Sequence, residues 1–202
     1  MTIATSAEPP LEPEALERFV ETLRGGGIVA APTETLVGLL GDALDAATVE
    51  RIVRIKQRPA HLPLAVLVPD LQSVERVAAP LEGRALELAR AHWPGPLTLL
   101  LRVREGLPAP LSRDGKIGVR VPGPSRALEL LRAYGGPLTA TSANRSGEPA
   151  RAGTAELSPE LRAEIDAICE GRAPGGLAST LLDVTLEPYR LLRAGAIELA
   201  LP

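Results

Sequence analysis

Gly25-Gly26-Gly27-Ile28-Val29-Ala30-Ala31-Pro32-Thr33-Glu34-Thr35 is the stretch on which the fold turns. Upstream of it Leu16, Phe19, Val20 and Leu23 recur at helical spacing, and a glycine run is where such a helix stops. Ile28 to Ala31 is short and apolar, which predicts a strand. Pro32 ends that strand and opens a segment carrying two hydroxyls and a carboxylate. A helix, a strand and a polar turn at the strand end form one half of an α/β unit.

The same alternation continues outward. Val49, Ile52 and Val53 mark a second helix whose last turn carries Lys56 and Arg58 before Pro59, a residue that ends helices. Leu64 to Val68 reads as a buried strand and Leu81 to His92 as a helix. Trp93-Pro94-Gly95-Pro96 turns the chain into a strand at Leu97 to Val103. Ile117 to Val121 predicts a strand with Arg120 on its alternation. A helix from Ser125 to Tyr134 leads into a strand that ends in Thr141-Ser142-Ala143-Asn144. Ser158-Pro159 is a helix cap followed by a favourable first residue. Short strands are expected near Ile165 to Cys169, Thr180 to Val184 and Tyr189 to Arg193. Together these predict a single-domain α/β fold, an open twisted mixed sheet flanked by helices, over residues 11–202. Residues 1–10, small, polar or proline, are expected to form a flexible N-terminus.

Composition limits what such a domain does. With 202 residues and 45% hydrophobic content the chain can bury a real core. A formal charge of −3 argues against a surface built to neutralise a nucleic-acid backbone. The four aromatic residues, Phe19, Trp93, Tyr134 and Tyr189, are too few for base-stacking platforms. Cys169, the one cysteine, forms no internal disulfide, and with two histidines it makes a poor zinc set. That usage fits a reducing cytoplasm, and no apolar run approaches the roughly 20 residues of a membrane span. There is no Gly-x-x-x-x-Gly-Lys-Ser/Thr loop and no Gly-x-Ser-x-Gly elbow. The glycine run precedes a strand, the reverse of a dinucleotide fingerprint.

Candidate chemistry gathers at the expected element ends, where open α/β sheets place their ligands. Thr33, Glu34 and Thr35 follow one strand, Lys56 and Arg58 close a helix, Ser142 and Asn144 follow another strand, and Ser179 and Thr180 follow a glycine-rich turn. Hydroxyls, an amide and cations suit a polyphosphate and an amino acid. Other readings stand beside this one. Lys56 and Arg58 complement a helix dipole whatever the function, and the threonines, Ser142 and Asn144 serve equally as turn and cap residues. Arg120 on an apolar strand requires an anionic partner, and Arg193 after Leu191-Leu192 raises the same question.

In this order the segments resemble the YrdC/Sua5 family. Pro32-Thr33-Glu34-Thr35 with Gly38-Leu39 is similar to its first motif, and Lys56-Gln57-Arg58-Pro59 with Pro63-Leu64 to its basic motif. Trp93-Pro94-Gly95-Pro96-Leu97-Thr98, Gly118-Val119-Arg120-Val121-Pro122 and Ser142-Ala143-Asn144-Arg145-Ser146-Gly147 continue the series. Ser179-Thr180 with Asp183 and Leu192-Arg193-Ala194-Gly195 complete it. The resemblance runs from about Arg24 to Ile197 and is to the short YrdC type rather than the longer Sua5 type with an extra domain.

That resemblance implies a cytoplasmic threonylcarbamoyl-AMP synthase, a nucleotidyltransferase that makes its product and pyrophosphate from L-threonine, bicarbonate and ATP, with Mg²⁺ accompanying the nucleotide. The product is expected to pass to a separate tRNA threonylcarbamoyl transferase complex that modifies adenosine 37. Motif by motif it assigns Lys56, Arg58, Lys116, Ser142, Asn144 and Arg193 to ATP, with Lys56, Arg58 and Ser142 as the catalytic set. Thr35, Arg120 and Ser179 fall to threonine, and no residue is assigned to a protein-held metal. Val37, Leu40, Leu62 and Leu67 depart from the family pattern. Alternatives are a YciO-like paralogue of different activity, a module binding double-stranded RNA weakly through a cationic concavity, and a carbamoyl-transfer domain of hydrogenase maturation.

Overall fold

A computed structural model describes residues 9–199. Most of the expected flexible terminus therefore lies outside the described residues, and within it Pro9 and Pro10 are exposed and without regular structure. Among the described residues ten strands form one mixed sheet. They are β1 (Val29–Pro32), β2 (Val37–Leu40), β3 (Ala65–Leu67), β4 (Leu97–Arg102), β5 (Ser112–Arg113), β6 (Lys116–Arg120), β7 (Leu138–Ser142), β8 (Ala167–Ile168), β9 (Thr180–Asp183) and β10 (Arg190–Arg193). Their order is β10-β9-β4-β6-β3-β7-β2-β1-β8, with β5 added to β6. The pairs β1/β8, β3/β6 and β4/β9 are parallel and the rest antiparallel. The fold is thus the open mixed α/β sheet that the sequence predicts.

Among the described residues five α-helices accompany it: α1 (Pro13–Arg24), α2 (Ala46–Lys56), α3 (Gly83–His92), α4 (Arg126–Tyr134) and α5 (Pro159–Glu164). α1 begins with proline and stops at Gly25, whose N–H bonds the Glu21 carbonyl at 2.9 Å. The Asp45 carboxylate caps α2 by accepting from the Ala47 and Thr48 amides, and Ser125 and Ser158 cap α4 and α5 in the same way.

Strand alternation divides the core into two layers. Ile28 and Ala30, Leu39 and Val66 pack in one layer with Val49, Ile52 and Ile55 of α2. Val29 and Ala31, Leu40 and Leu67 face the other layer, where Leu23 of α1 and Leu128 and Leu131 of α4 lie. α1 and α4 cover only the β1 end of this second face. Farther along it, Leu67, Gly118, Arg120, Thr98, Leu100, Ala140 and Ser142 line an open concavity.

Three local readings change. Arg58 does not belong to the last turn of α2: the helix closes at Lys56, Gln57 adopts a left-handed backbone with φ 50°, and the Arg58 amide returns to the Val53 carbonyl at 3.0 Å. β2 is not anticipated by the sequence, because Gly38 breaks its short apolar run. Arg193 needs no anionic partner of the kind Arg120 has: it stands on β10, an exposed edge strand, and only its guanidinium turns inward, part-buried over Ser179.

Candidate functional site

The concavity is a cavity of about 300 Å³ on the uncovered face of the sheet. Period-2 geometry explains its lining: residues two apart on β3, β4, β6 and β7 point the same way, which aims Thr98, Arg120 and Ser142 into one space. The turn after β1 brings Thr33 and Thr35 to one rim, and the segment after α2 brings Arg58. Ser179 and Arg193 close the opposite rim. Among the described lining residues the ionisable side chains are Arg58, Arg120 and Arg193, with no carboxylate.

Each group is held by a distinct local device. Arg58 donates from Nε to the Leu62 carbonyl at 2.8 Å and from Nη2 to the Pro63 carbonyl at 2.9 Å. Arg193 donates from Nε to the Ser179 carbonyl at 2.9 Å and from Nη2 to Ser179 Oγ at 3.1 Å. Thr98 Oγ1 lies 2.7 Å from the same Ser179 hydroxyl. Thr33 Oγ1 accepts from the Thr35 and Leu36 amides, both at 3.1 Å, and lies 3.0 Å from Thr35 Oγ1. Gly195 is required for the Arg193 rim, because a Cβ there would stand 2.3 Å from the Ala178 carbonyl and 2.5 Å from the Thr180 amide.

Electrostatics make the cavity anion-seeking. The Arg58 guanidinium is pushed below its ordinary pKa by burial and then by Arg193, and Arg193 is pushed down by burial and then by Arg120. Arg58 and Arg193 carry charges that no carboxylate of the cavity wall balances, and their repulsion is relieved when an anion enters.

The sequence-assigned residues separate into two groups. Thr35, Arg58, Arg120, Ser142, Ser179 and Arg193 come together on the cavity wall. Lys56, Asn144 and Lys116 are not on it. Lys56 is 1% exposed, and its ammonium donates to the main-chain carbonyls of Ser142 at 2.5 Å and Asn144 at 2.7 Å. Burial, and then Arg58, push its pKa down to about 8 against the pull of Glu148. Asn144 donates to the Arg145 and Glu148 carbonyls at 2.9 and 2.7 Å, tying the turn after β7. Lys116 pairs with Asp183 at 2.7 Å. Burial pushes the Asp183 carboxyl up, but the bonds from Lys116 and Thr185 outweigh it and leave the group below its usual range. Thr98 was quoted in a motif yet not assigned to the site; its alternation with buried Leu97 and Leu99 was the available signal. The anionic partner that Arg120 required is Glu34.

The family departures bear on the cavity. Val37, Leu40 and Leu67 border it; Leu40 and Leu67 belong to the layer it opens from and make its floor apolar, Val37 packs in the opposite layer, and Leu62 is 43% exposed and contributes its carbonyl to Arg58.

Fold and cavity together define an α/β protein with an arginine- and hydroxyl-lined anion site on the open face of its sheet. Residues 21–195 match the Sua5/YciO/YrdC family, described under telomere recombination, and the chain belongs to that family. It is 34% identical over 201 residues to a threonylcarbamoyl-AMP synthase of Pyrococcus abyssi, covering 98% of this chain and 59% of that protein. The crystal structure of P. abyssi Sua5 complexed with L-threonine superposes with a TM-score of 0.87 over 92% of this chain and 55% of that one. A Stenotrophomonas maltophilia threonylcarbamoyl-AMP synthase is 38% identical over 167 residues, 81% of this chain and 89% of its own length. Escherichia coli YciO matches with a TM-score of 0.83 at 25% identity, over 94% of this chain and 93% of its own. Against the P. abyssi protein, then, the chain spans little more than half the relative's length.

Proposed function

We propose that this chain is a cytoplasmic threonylcarbamoyl-AMP synthase, forming the adenylate and pyrophosphate from L-threonine, bicarbonate and ATP. The observation that carries the reading is the carboxylate-free cavity in which Arg58, Arg120 and Arg193 converge with the hydroxyls of Thr35, Ser142 and Ser179. In it Arg58, Ser142 and Arg193 take the triphosphate. Arg120, whose Nε and Nη2 are buried on the Glu34 side, takes the threonine carboxylate through its remaining donors, together with Thr35 and Ser179. Lys56 and Asn144 serve ATP from behind, by fixing the turn that presents Ser142. Lys116 joins them only if its bond to Asp183 opens.

The chemistry asks for positioning. The neutral amine of threonine adds to CO₂ with loss of a proton to solvent, or to bicarbonate with loss of water, and the resulting carbamate oxygen then attacks the α-phosphorus of ATP as the bond to pyrophosphate breaks. Charge grows on the phosphate oxygens during that displacement, and fixed guanidinium donors stabilise it. The nucleophile belongs to the substrate, so no enzyme-bound covalent intermediate is required. Among the described residues no cluster of acidic, histidine or cysteine side chains could hold a metal. The residues therefore do not fit a resident ion, and Mg²⁺ would arrive on the triphosphate, which it neutralises. The product would pass to a separate tRNA threonylcarbamoyl transferase that modifies adenosine 37. Among the described residues no helix is long and apolar enough to cross a membrane.

The test is pyrophosphate release by the purified protein with ATP and Mg²⁺, omitting threonine or bicarbonate in turn, with the adenylate identified by mass. Dependence on both supports the synthase. ATP binding without turnover favours a YciO-like activity, and double-stranded RNA binding without ATP binding favours the nucleic-acid module.

A further inference from the structure

Arg120 and Glu34 form an ion pair whose side chains are 8% and 7% exposed. Nε and Nη2 of Arg120 and both oxygens of Glu34 are sealed from solvent, with Nη2 against Oε1. The two residues face different spaces. Arg120 lines the cavity on the open face of the sheet, whereas Glu34 lines a second cavity, of about 390 Å³, together with Trp93, Gly123 and Ser125. Thr33 borders both.

The seat of Glu34 is built. A Cβ on Gly123 would stand 2.8 Å from Glu34 Cγ and 3.2 Å from its Cδ, so the bare glycine backbone is what leaves room for the carboxylate. Arg120 lies three positions before Gly123, at the end of β6. One short segment thus supplies both the guanidinium and the space for its partner.

We propose that Glu34 is the positioning residue of the substrate carboxylate subsite: it holds Arg120 from behind and so fixes the orientation in which the guanidinium meets an α-amino-acid carboxylate. The inference rests on the assignment of Arg120 to threonine. Glu34 does not line the substrate cavity and acts only through Arg120. A guanidinium offers five N–H donors in a rigid fork, so one carboxylate can hold it while others of its donors bind a second. The arrangement also lowers the net charge at this corner. A carboxylate is accepted by geometry here, and the triphosphate is left to the unpaired charges of Arg58 and Arg193. Trp93, the single tryptophan of the chain, shares the cavity of Glu34 and reports from the far side of the pair.

Glu34→Gln and Gly123→Ala test this against wild type in the full chain, with KM for L-threonine, KM for ATP and Trp93 emission as readouts. Glu34→Gln is expected to raise the threonine KM about tenfold, the loss of one charge-assisted contact, and to leave the ATP KM within about twofold. Gly123→Ala pushes Glu34 off its seat and raises the threonine KM in the same sense. The double variant is expected to be no worse than Glu34→Gln alone, because both act on one element. Threonine should change Trp93 emission in wild type and not in Glu34→Gln. An unchanged threonine KM in folded variants, or a parallel rise in both KM values with a lower melting temperature, overturns the inference. Where Glu34→Gln does not fold, Gly123→Ala carries the test, since it keeps both charges. Wild type that neither binds nor turns over threonine sinks the functional reading itself, an outcome distinct from a responsive wild type with unresponsive variants.

Discussion

The ammonium of Lys56 sits 2.7 Å from the main-chain carbonyl of Asn144, with the Ser142 carbonyl as its other close acceptor. A lysine read from its motif as a phosphate contact is therefore committed to the backbone of the turn that follows β7. The consequence is a division of labour in which Arg58 faces the cavity and Lys56 secures the wall opposite it.

Lys56→Met should cost about 1–3 kcal/mol of stability, because it strands two buried carbonyls. Urea denaturation measures that cost. The pH dependence has a definite sign. Folded Lys56 titrates near 8 and the unfolded side chain near 10.5. Between those values the unfolded chain binds more protons, and stability rises with pH. Wild type should gain on Lys56→Met as pH climbs through this window, and equal pH slopes in the two proteins would count against a buried, strained charge.

Arg58→Ala and Ser142→Ala should each abolish turnover while the fold survives. The Arg58 side chain bonds the carbonyls of Leu62 and Pro63 on its own loop, and Ser142 ends a strand. Loss of one charge-assisted phosphate contact weakens ATP binding by about ten- to a hundredfold. Calorimetric titration of ATP, paired with thermal melts, separates lost binding from lost structure. Full activity in both folded variants would remove these residues from the site.

Thr98→Val removes the hydroxyl 2.7 Å from Ser179 Oγ without changing shape. The expected stability loss is about 1 kcal/mol. The larger effect should fall on threonine, with KM rising several-fold as Ser179 turns toward Arg193 alone. Steady-state kinetics at saturating ATP reads this directly.

Gly195→Ala introduces a Cβ that would stand 2.3 Å from the Ala178 carbonyl, a backbone atom with little freedom to move. Overpacking of this kind costs about 1–3 kcal/mol. β10 is an exposed edge strand held through β9 alone, so the strain should displace Arg193 before the core yields. A lower melting temperature with a disproportionate loss of ATP affinity is the expected pair of results.

Much of this molecule was legible before its coordinates. The glycine stop after α1, the buried strands β1, β3 and β4, and the Ser158 cap of α5 follow from local rules: apolar runs, proline and glycine punctuation, and a hydroxyl before a helix. β2 escaped because Gly38 interrupts an apolar run of only four residues, where β1, just as buried, reads as an unbroken one. Arg58 escaped the correct end of α2 because a left-handed glutamine, Gln57, closes the helix where glycine is the usual residue.

By itself, then, the sequence determined the class of fold, the order of its elements and the pool of hydroxyl and cationic groups at their ends, since each of these depends on neighbours along the chain. Only the tertiary structure decided how that pool divides. Lys56 and Arg58 read alike as cations at a helix end, yet one holds a turn and the other faces the open cavity, and the partner that Arg120 requires proves to be Glu34 behind that cavity. Such differences arise from which strand lies beside which in the sheet, and from a single Cβ missing at Gly123. Contacts between residues far apart in the chain leave no local periodicity, so they become readable only when the sheet closes over them.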